Sequence, residues 1–391
     1  MKLKNFFTAV CAAVAIAVSQ TAPVAALFEK NNITIYESEL FQKQGISVAA
    51  DAQWENYDTG GSVIEVPVKF LGITVGTKKI MVKEDRQVWL GGQAVGVAMY
   101  TNGLFVTDTV AVENAEGKFI TPAANAGIRK GDYIVSANGI KLDDVSTMDA
   151  VLKACNGEKI TLGVQRDGTN FEVMITPVKS IEDQKYRLGL WMRDSAAGLG
   201  TVTYVDTRDN HYMALGHAIC DGDSGKVLAV GNGRIVDCTI SSVQKGTKGN
   251  AGELKGSFGV GAQVLGTIEE NTQFGLKGTV DETFQKGELV KLGSKELVHE
   301  GAAEIYSTVD GTGVKKYQIE IVHVNDQTHP QEKSMVIKVT DPVLLEKTGG
   351  IVQGMSGSPI VQDGKLIGAV THVMLSDSAR GYGIFIDWMI N

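Results

Sequence analysis

The sequence of 391 residues is poor in proline and cysteine and has no excess of positive charge. Only 7 Pro stand beside 46 Gly, and this balance favours many short strands and tight turns over long helices. Lys and Arg number 37 against 45 Asp and Glu, so the clustered positive charge of a nucleic-acid-binding face is lacking and no nucleic-acid partner is expected. No pair of Cys or His has the close spacing of a zinc site, so no metal site is predicted.

The four cysteines leave two readings open. Cys220 and Cys238 could form a disulfide in an oxidising compartment, or they could remain a pair of buried thiols. Cys155 lies in a helical pattern and is expected to pack as a small apolar residue, while Cys11 belongs to the N-terminal apolar run.

The longest apolar run lies at the N-terminus, where Lys2 and Lys4 precede residues 6–18 and small residues follow. This is the pattern of a secretory signal, and a cut after Ala26 would release an exported protein. The alternative is a retained membrane anchor within residues 1–28, which needs roughly 20 apolar residues to span a bilayer. Both readings place the body of the chain outside the cytoplasm.

Length predicts two or three domains, and the patterns suggest where they divide. Residues 29–89 carry alternating apolar residues and predict a small β-rich region, and residues 90–178 form a recognisable module. After a charged connector, residues 187–391 contain short Gly-rich strands at regular spacing, which predict an antiparallel barrel or sandwich.

Residues 90–178 resemble a PDZ domain. The stretch "AANAGIRKGDYIVSANG" carries most of the resemblance, and it is followed by the helical pattern "DVSTMDAVLKAC" and two strands joined at an Asp-Gly turn. A PDZ-like module implies capture of an extended peptide by strand addition, with a terminal carboxylate held by backbone N–H groups. The matching loop is Ala94, Val95, Gly96 and Val97, where Gly96 allows close backbone approach.

The stretch "GMSGSP" displays Ser356 on a sharp turn between two apolar runs. A serine becomes a nucleophile only if a base takes its proton and backbone donors stabilise the oxyanion. Gly354 and Gly357 permit the required backbone angles, and the N–H groups of Gly354 and Ser356 are the expected oxyanion donors. Ser358 is the rival hydroxyl, but Pro359 restricts its backbone. Taken alone, the stretch favours a glycine-rich hairpin.

Two of the six histidines are candidates for the base. His217 follows an apolar run and a Gly, where a strand would leave a barrel. His372 ends the strand after the serine turn beside Thr371, and strand alternation allows only one of these two side chains to face the site. The others lie in settings without an obvious catalytic role: His211, His299, His323 and His329.

The preferred acid is Asp341, which closes an apolar strand and precedes Pro342. From a strand end it could orient an imidazole, or it could merely cap the following turn. Other acids lie between the candidate base and nucleophile: Asp221, Asp223, Asp237, Asp281, Asp310 and Asp326.

Together, "LGHAI" and "GMSGSPIVQDGKLIGAVTHV", behind a PDZ-like module and an export signal, resemble the SpoIVB family of sporulation serine peptidases. The resemblance implies that Ser356 is the nucleophile, His217 the general base and then acid, and Asp341 the group that orients His217. It also implies a trypsin-like antiparallel double β-barrel after the PDZ-like module and no cofactor. Met355 stands where the trypsin pattern has an Asp, so activation through that Asp is not available here.

The resemblance further implies an exported serine endopeptidase of endospore formation. Such peptidases act in the space between forespore and mother cell on a membrane-associated regulator that triggers a late mother-cell signal, and they process themselves. The PDZ-like module would engage the chain's own N-terminal region, the substrate or a second copy. The alternative is a non-catalytic PDZ signalling or scaffolding protein on a peptidase-like barrel. A membrane-anchored stress-response protease is less favoured, because there the protease precedes its PDZ domain.

Overall fold

The computed structural model describes residues 33–39, 54–57, 61–70, 73–222, 224–259 and 261–390. The predicted signal or anchor at residues 1–28 and the candidate acid Asp223 lie outside these ranges. Within them, no helix is long and apolar enough to cross a membrane.

The protein is mainly β, which confirms the predicted fold class. The first strands are β1 Ile33–Tyr36, β2 Trp54–Tyr57, β3 Gly61–Phe70, β4 Ile73–Lys83, β5 Gln87–Leu90, β6 Ala94–Thr109, β7 Val112–Glu113, β8 Phe119–Ile120, β9 Tyr133–Ala137 and β10 Ile140–Lys141. They are followed by β11 Ile160–Arg166, β12 Thr169–Ile175, β13 Val178–Lys179, β14 Tyr186–Arg187, β15 Leu190–Asp206, β16 His211–Ala214, β17 Val230–Val236, β18 Thr239–Gln244, β19 Glu253–Ser257 and β20 Val264–Thr267. The last strands are β21 Glu270–Thr272, β22 Gly275–Thr279, β23 Leu289–Leu292, β24 Gly301–Ser307, β25 Lys315–Val324, β26 Met335–Val339, β27 Pro359–Gln362, β28 Lys365–Val373 and β29 Arg380–Phe385. The helices are α1 Pro122–Asn125, α2 Val145–Cys155, α3 Pro342–Thr348 and α4 Ile386–Met389, with 3-10 turns at Glu37–Glu39 and Lys295–Leu297.

One compact unit comprises the described parts of residues 1–86 with residues 291–298 and 326–330. Its sheet has the order β1-β4-β3-β2, and β1 lies parallel to β4. Glu39 is fully buried, and its carboxylate accepts N–H groups from Tyr36 at 3.0 Å and Ser294 at 3.1 Å. These bonds satisfy a carboxylate that would otherwise be costly to bury.

The second unit holds the remaining residues, including the PDZ-like module. In the module the strand order is β12-β11-β9, followed by the second half of β6 and the first residues of β15. Asp144 directly precedes helix α2, and its carboxylate accepts the Thr147 N–H at 2.7 Å, as an N-cap residue should. Buried residues of α2 and the sheet, such as Met148 and Leu162, form the module's own core.

Two long strands, β6 and β15, run through both the module and an adjoining barrel. The first half of β6 pairs with β17 on one side and β15 on the other, and β5, β16, β20, β21 and β22 continue the sheet. The inward residues form a second apolar core, with Val95, Val97 and Tyr212 nearly or fully buried.

The last third of the chain forms a further antiparallel sheet from β24 to β29. Alternate residues of β25 and β26 point inward, as in the buried series Tyr317, Ile319 and Ile321. This alternation is the expected signature of strands with one buried face. The turn between α3 and β27 carries Ser356.

Candidate active site

The turn that carries Ser356 is held by two glycines in a left-handed conformation. Gly354 and Gly357 both have φ of 95°, a region that residues with a Cβ rarely occupy. A Cβ on Gly357 would lie 2.0 Å from the Thr201 carbonyl oxygen. The turn therefore requires glycine both for its backbone angle and for its close approach to β15.

Hydrogen bonds fix this turn against strand β15. The Thr201 N–H donates to the Ser356 carbonyl at 3.0 Å, and the Thr201 hydroxyl donates to the Gly354 carbonyl at 2.9 Å. The Thr203 hydroxyl donates to the Gly357 carbonyl at 2.8 Å. Since Thr201 and Thr203 are fully buried, these bonds place the serine firmly.

The N–H groups of Gly354 and Ser356 are free to act on a ligand. The Gly357 N–H donates to Val370 at 2.8 Å and the Met355 N–H to Val352 at 3.1 Å. In the described part of the chain, no acceptor receives the N–H of Gly354 or Ser356. Two unengaged donors beside a serine hydroxyl are what an oxyanion site requires.

His217 follows β16 after two residues with positive φ, Leu215 and Gly216, both at 71°. Its Nδ1 lies 2.9 Å from the Ala218 carbonyl oxygen. In the neutral ring, an N–H at Nδ1 that donates to this carbonyl leaves the lone pair of Nε2 available. This is the form that a general base needs.

The His217 ring lies beside the ring of His372, with centroids 5.0 Å apart. The Thr371 hydroxyl points away and donates to the Tyr382 carbonyl at 3.2 Å. The side chain of His372, and not that of Thr371, therefore faces His217.

The Ser356 hydroxyl donates to the carbonyl of Thr371 at 2.8 Å. For base catalysis it must turn from this carbonyl to an imidazole. Ser356 lies in a cleft of about 640 Å³ that also contains His217, His372 and Gly354, and Ala197, Gly198 and Leu199 of β15 form one wall. A second cavity of about 620 Å³ shares that wall.

Burial and, to a smaller extent, charge repulsion from His217 and Lys333 together lower the pKa of His372 to about 4. His372 is therefore neutral at physiological pH. Its Nδ1 is buried without a hydrogen-bond partner among the described residues. Because His372 is neutral, it places no second positive charge beside the imidazolium that would form on His217.

The low pKa of His372 predicts a pH dependence of stability. An unfolded chain protonates this residue near pH 6.5 and the folded chain near pH 4, so the unfolded state binds the extra proton between these values. The stabilisation is complete above pH 6.5 and is lost as pH falls to 4. We expect the melting temperature of the parent to fall more between pH 7 and 4 than that of His372→Gln, as measured by circular dichroism.

The control for this prediction is His329→Gln, since His329 is exposed. It should keep the pH dependence of the parent. Equal pH dependences for the parent and His372→Gln would contradict the prediction.

No hydrogen bond joins Asp341 to His217 among the described residues. Its carboxylate caps α3 by accepting the N–H groups of Val343 at 2.9 Å and Leu344 at 3.0 Å, and it also accepts the Gln318 N–H at 3.3 Å. These are all the hydrogen bonds of this side chain to the described residues. In this structure the Asp341 carboxylate therefore caps a helix, because a carboxylate at the N-terminus of a helix meets unpaired backbone donors. The orienting role of Asp341 toward His217 stays a prediction.

The remaining histidines have partners of their own away from the cleft. His299 lies 3.0 Å from Asp363, and the pKa of His299 is raised by its bonds to the Glu300 carbonyl and Asp363. The other pairings are His211 with Asp209 and Glu269, His323 with Glu300, and His329 with Thr328. The sequence did not reveal that the rings of His217 and His372 lie side by side, or that the Thr371 carbonyl accepts the Ser356 hydroxyl. Both contacts depend on the fold.

The predicted peptide-binding loop at Ala94, Val95, Gly96 and Val97 is wrong. All four residues lie in β6 and pair with β15, and Gly96 and Val97 also pair with β17 on the other side, where Gly96 is the partner of Val236. Val95 and Val97 are buried. A strand paired on both edges has no backbone donors left for a terminal carboxylate.

The three cysteines in the described residues, Cys155, Cys220 and Cys238, are free thiols. Burial raises the pKa of Cys238 to about 11 and, with the charge of Glu332, also raises that of Cys220. Cys220 lines the cleft, but a raised pKa makes it a poor competitor to Ser356 as nucleophile.

Similar proteins support the reading of both parts of the chain. A PDZ domain family model matches residues 121–166, in agreement with the predicted PDZ-like module. A probable periplasmic serine endoprotease, DegP-like, of Bartonella henselae is 33% identical over 107 residues, or 26% of this chain and 20% of that protein. A putative zinc metalloprotease of Staphylococcus aureus is 35% identical over 86 residues, or 22% of this chain and 19% of that protein.

A putative zinc metalloprotease of Lactococcus lactis is 33% identical over 101 residues, or 26% of this chain and 23% of that protein. The chain thus spans about a fifth of the length of these relatives. A family model described as SpoIVB peptidase S55 matches residues 184–390. Because this match covers more than half of the chain, the chain belongs to the SpoIVB peptidase S55 family.

Proposed function

We propose that the protein is a serine endopeptidase with Ser356 as nucleophile and His217 as general base. The observation that carries the proposal is the cleft, in which a serine on a glycine-built turn lies with two imidazoles and two unengaged backbone N–H groups. These are the parts that acyl transfer needs.

In the first step, Nε2 of His217 takes the proton of the Ser356 hydroxyl while Oγ attacks the scissile carbonyl carbon. The N–H groups of Gly354 and Ser356 donate to the oxyanion. The His217 imidazolium then gives its proton to the leaving amine, and an acyl group remains on Ser356. Water, deprotonated by the same imidazole, releases this acyl group and restores the hydroxyl.

The biological setting of the proposal is endospore formation. We place the exported protein in the space between forespore and mother cell, where it cleaves a membrane-associated regulator and processes itself. The apolar N-terminal run after Lys2 and Lys4 supports export, and so does the similarity to a relative named as a periplasmic endoprotease. The family membership supports a sporulation role.

The experiment that tests the proposed activity is labelling of purified protein with a fluorophosphonate probe. The probe should label the parent at Ser356 and fail to label Ser356→Ala. Ser358→Ala is the matched control, since Ser358 is buried and its hydroxyl bonds to Ser307 at 2.9 Å. N-terminal sequencing of any self-cleavage products would locate the cleaved bond. Equal labelling of parent and Ser356→Ala would exclude this nucleophile.

Asp341→Asn separates helix capping from catalysis. Asn caps helices about as well as Asp, so we expect kcat within a few-fold of the parent and an unchanged pH profile. Asp341→Ala should lower the free energy of unfolding by about 1 kcal/mol through loss of the cap. Kinetics and urea unfolding of both variants provide the measurement. A large fall in kcat for Asp341→Asn, with stability retained, would instead assign Asp341 to the catalytic group.

A further inference from the structure

One edge of β15 is open from the PDZ-like module to the cleft. Over Leu190–Arg193 and again over Ser195–Thr201, β15 pairs with β6 on the same side. Among the described strands, none pairs with the other edge before β16 joins at Val202. At the far end of this edge, the Thr201 N–H donates to the Ser356 carbonyl.

In the module, this edge presents the backbone groups of Leu190 and Met192. The Val110 N–H donates to the Gly189 carbonyl at 2.9 Å, so antiparallel alternation turns the N–H and C=O of Leu190 away from β6. Met192 pairs with Val106. The Val106 N–H donates to the Asp132 carbonyl and the Val106 carbonyl accepts the Gly131 N–H, both at 2.8 Å, on the side of β6 that faces β9. The groups of Met192 therefore also face outward.

At the cleft, the same edge presents Ala197 and Leu199. The Thr201 N–H points at the serine turn. Backbone groups of a strand alternate in direction, so those of Leu199 and Ala197 point to the same side as that of Thr201. Both residues line the cleft of Ser356. Between Arg193 and Ser195 the pairing register shifts, and this shift accounts for the change from even to odd outward positions.

Helix α2 lies alongside the module end of the edge. The Val145 N–H at its start donates to the Asp194 carboxylate at 3.1 Å, and beyond its end a Cβ on Gly157 would lie 2.6 Å from the Tyr186 ring. Between these contacts, Leu190 and Met192 are partly exposed and pack on the module core. The open edge is thus bordered by apolar side chains.

We propose that β15 binds one continuous extended segment of the substrate, with the residues beyond the scissile bond docked on Leu190 and Met192. The proposal rests on the proposed peptidase function. Every pairing of β15 with another described strand is antiparallel. Because β15 runs from Leu190 toward the cleft, a substrate segment that adds antiparallel to it runs from the cleft toward Leu190. The docked residues are therefore on the C-terminal side of the cleaved bond.

The length of the edge sets a spacing. Strands rise by about 3.3 Å per residue, so Leu190 and Leu199 are separated by roughly 30 Å along the strand. An extended substrate covers this distance with about nine residues. We infer that efficient substrates carry apolar residues at alternate positions about 8 to 12 residues after the scissile bond.

The test uses the full-length protein and fluorescence-quenched peptides built around the bond that it cuts most readily in unfolded β-casein. A short peptide ends about four residues after this bond, and a long peptide continues for about twelve residues and carries a Leu-Ser-Leu-Ser-Leu stretch near its end. A second long peptide has only Gly and Ser in that region. We expect kcat/KM for the apolar long peptide to be at least tenfold above the other two, mainly through KM, because docking is remote from the reacting bond.

Met192→Asp should remove this advantage and leave cleavage of the short peptide unchanged, which also reports that the variant is folded. Trp191→Asp is the matched control. Trp191 is 63% exposed and has its backbone groups toward β6, so the advantage should persist. Equal kcat/KM for all three peptides in the parent would overturn the docking proposal while the peptidase proposal stands.

Binding provides a readout that does not need cleavage. Fluorescein-labelled apolar long peptide should bind to Ser356→Ala at least tenfold more tightly than the short peptide, and Met192→Asp in the same background should abolish the difference. Such binding without cleavage by the parent would overturn the peptidase proposal alone. Loss of self-cleavage in Met192→Asp, with long-peptide cleavage unchanged, would assign the edge to the chain's own N-terminal segment and overturn the docking proposal.

Discussion

Ser356→Ala should lower kcat for peptide hydrolysis by about 1,000-fold or more with little change in KM. The hydroxyl is the atom that attacks, and the variant keeps both glycines and the bonds of the turn to Thr201, which involve only the backbone of the turn. Substrate binding should therefore be retained while acyl transfer is lost. Steady-state kinetics on one peptide measures both constants.

Ser358→Ala is the control for this change because it removes a hydroxyl from the same turn. Ser358 is fully buried and bonds to Ser307 rather than facing the cleft. We expect its kcat to stay within a few-fold of the parent. A Ser356→Ala protein that hydrolyses peptides at the parent rate would remove Ser356 from the mechanism.

His217→Ala should lower kcat by about 100-fold to 10,000-fold, the range typical of a lost general base. His372→Ala should lower it by less than about tenfold. The two rings lie side by side, but a pKa of about 4 makes His372 a weak base at neutral pH. His217 has its Nδ1 held by the Ala218 carbonyl, which leaves Nε2 as the proton acceptor.

Kinetics with added imidazole discriminate further between the two histidines. Imidazole should restore part of the activity of His217→Ala, since the cleft can admit a small base, and should not raise that of His372→Ala. If His372→Ala proved the slower variant and responded to imidazole, the roles of the two residues would be exchanged.

The features predicted correctly are those that depend on residues close together in the chain. The glycines around Ser356 are needed for the backbone of a single turn, so a short stretch reveals them. The module pattern around α2 is likewise local, because its cap at Asp144 and its apolar spacing lie within one helix.

The sequence is less informative where distant strands, or a choice between two local roles, decide the outcome. Gly96 follows the pattern of a binding loop, yet pairing with Leu199 and Val236, far along the chain, makes its strand internal to a sheet. Asp341 stands at a strand end that also begins a helix, and the nearest unpaired N–H groups attract its carboxylate. His372 required knowledge of which strand face meets His217. The contacts of Gly96 and His372 have no local signature, whereas the cap at Asp341 is local and was one of the two roles predicted for this residue.

The shared strands β6 and β15 make the module an insertion in the barrel and not a domain placed before it. Barrel residues precede the module, at Gln87–Leu90 and 94–101, and follow it from Ser195 onward. A chain that began at residue 184 would lose the strands that cover Val202 and Val205 and would expose their core. Tyr100 and Ser195 are antiparallel partners, so a peptidase without its module would have to join these two residues by a hairpin turn.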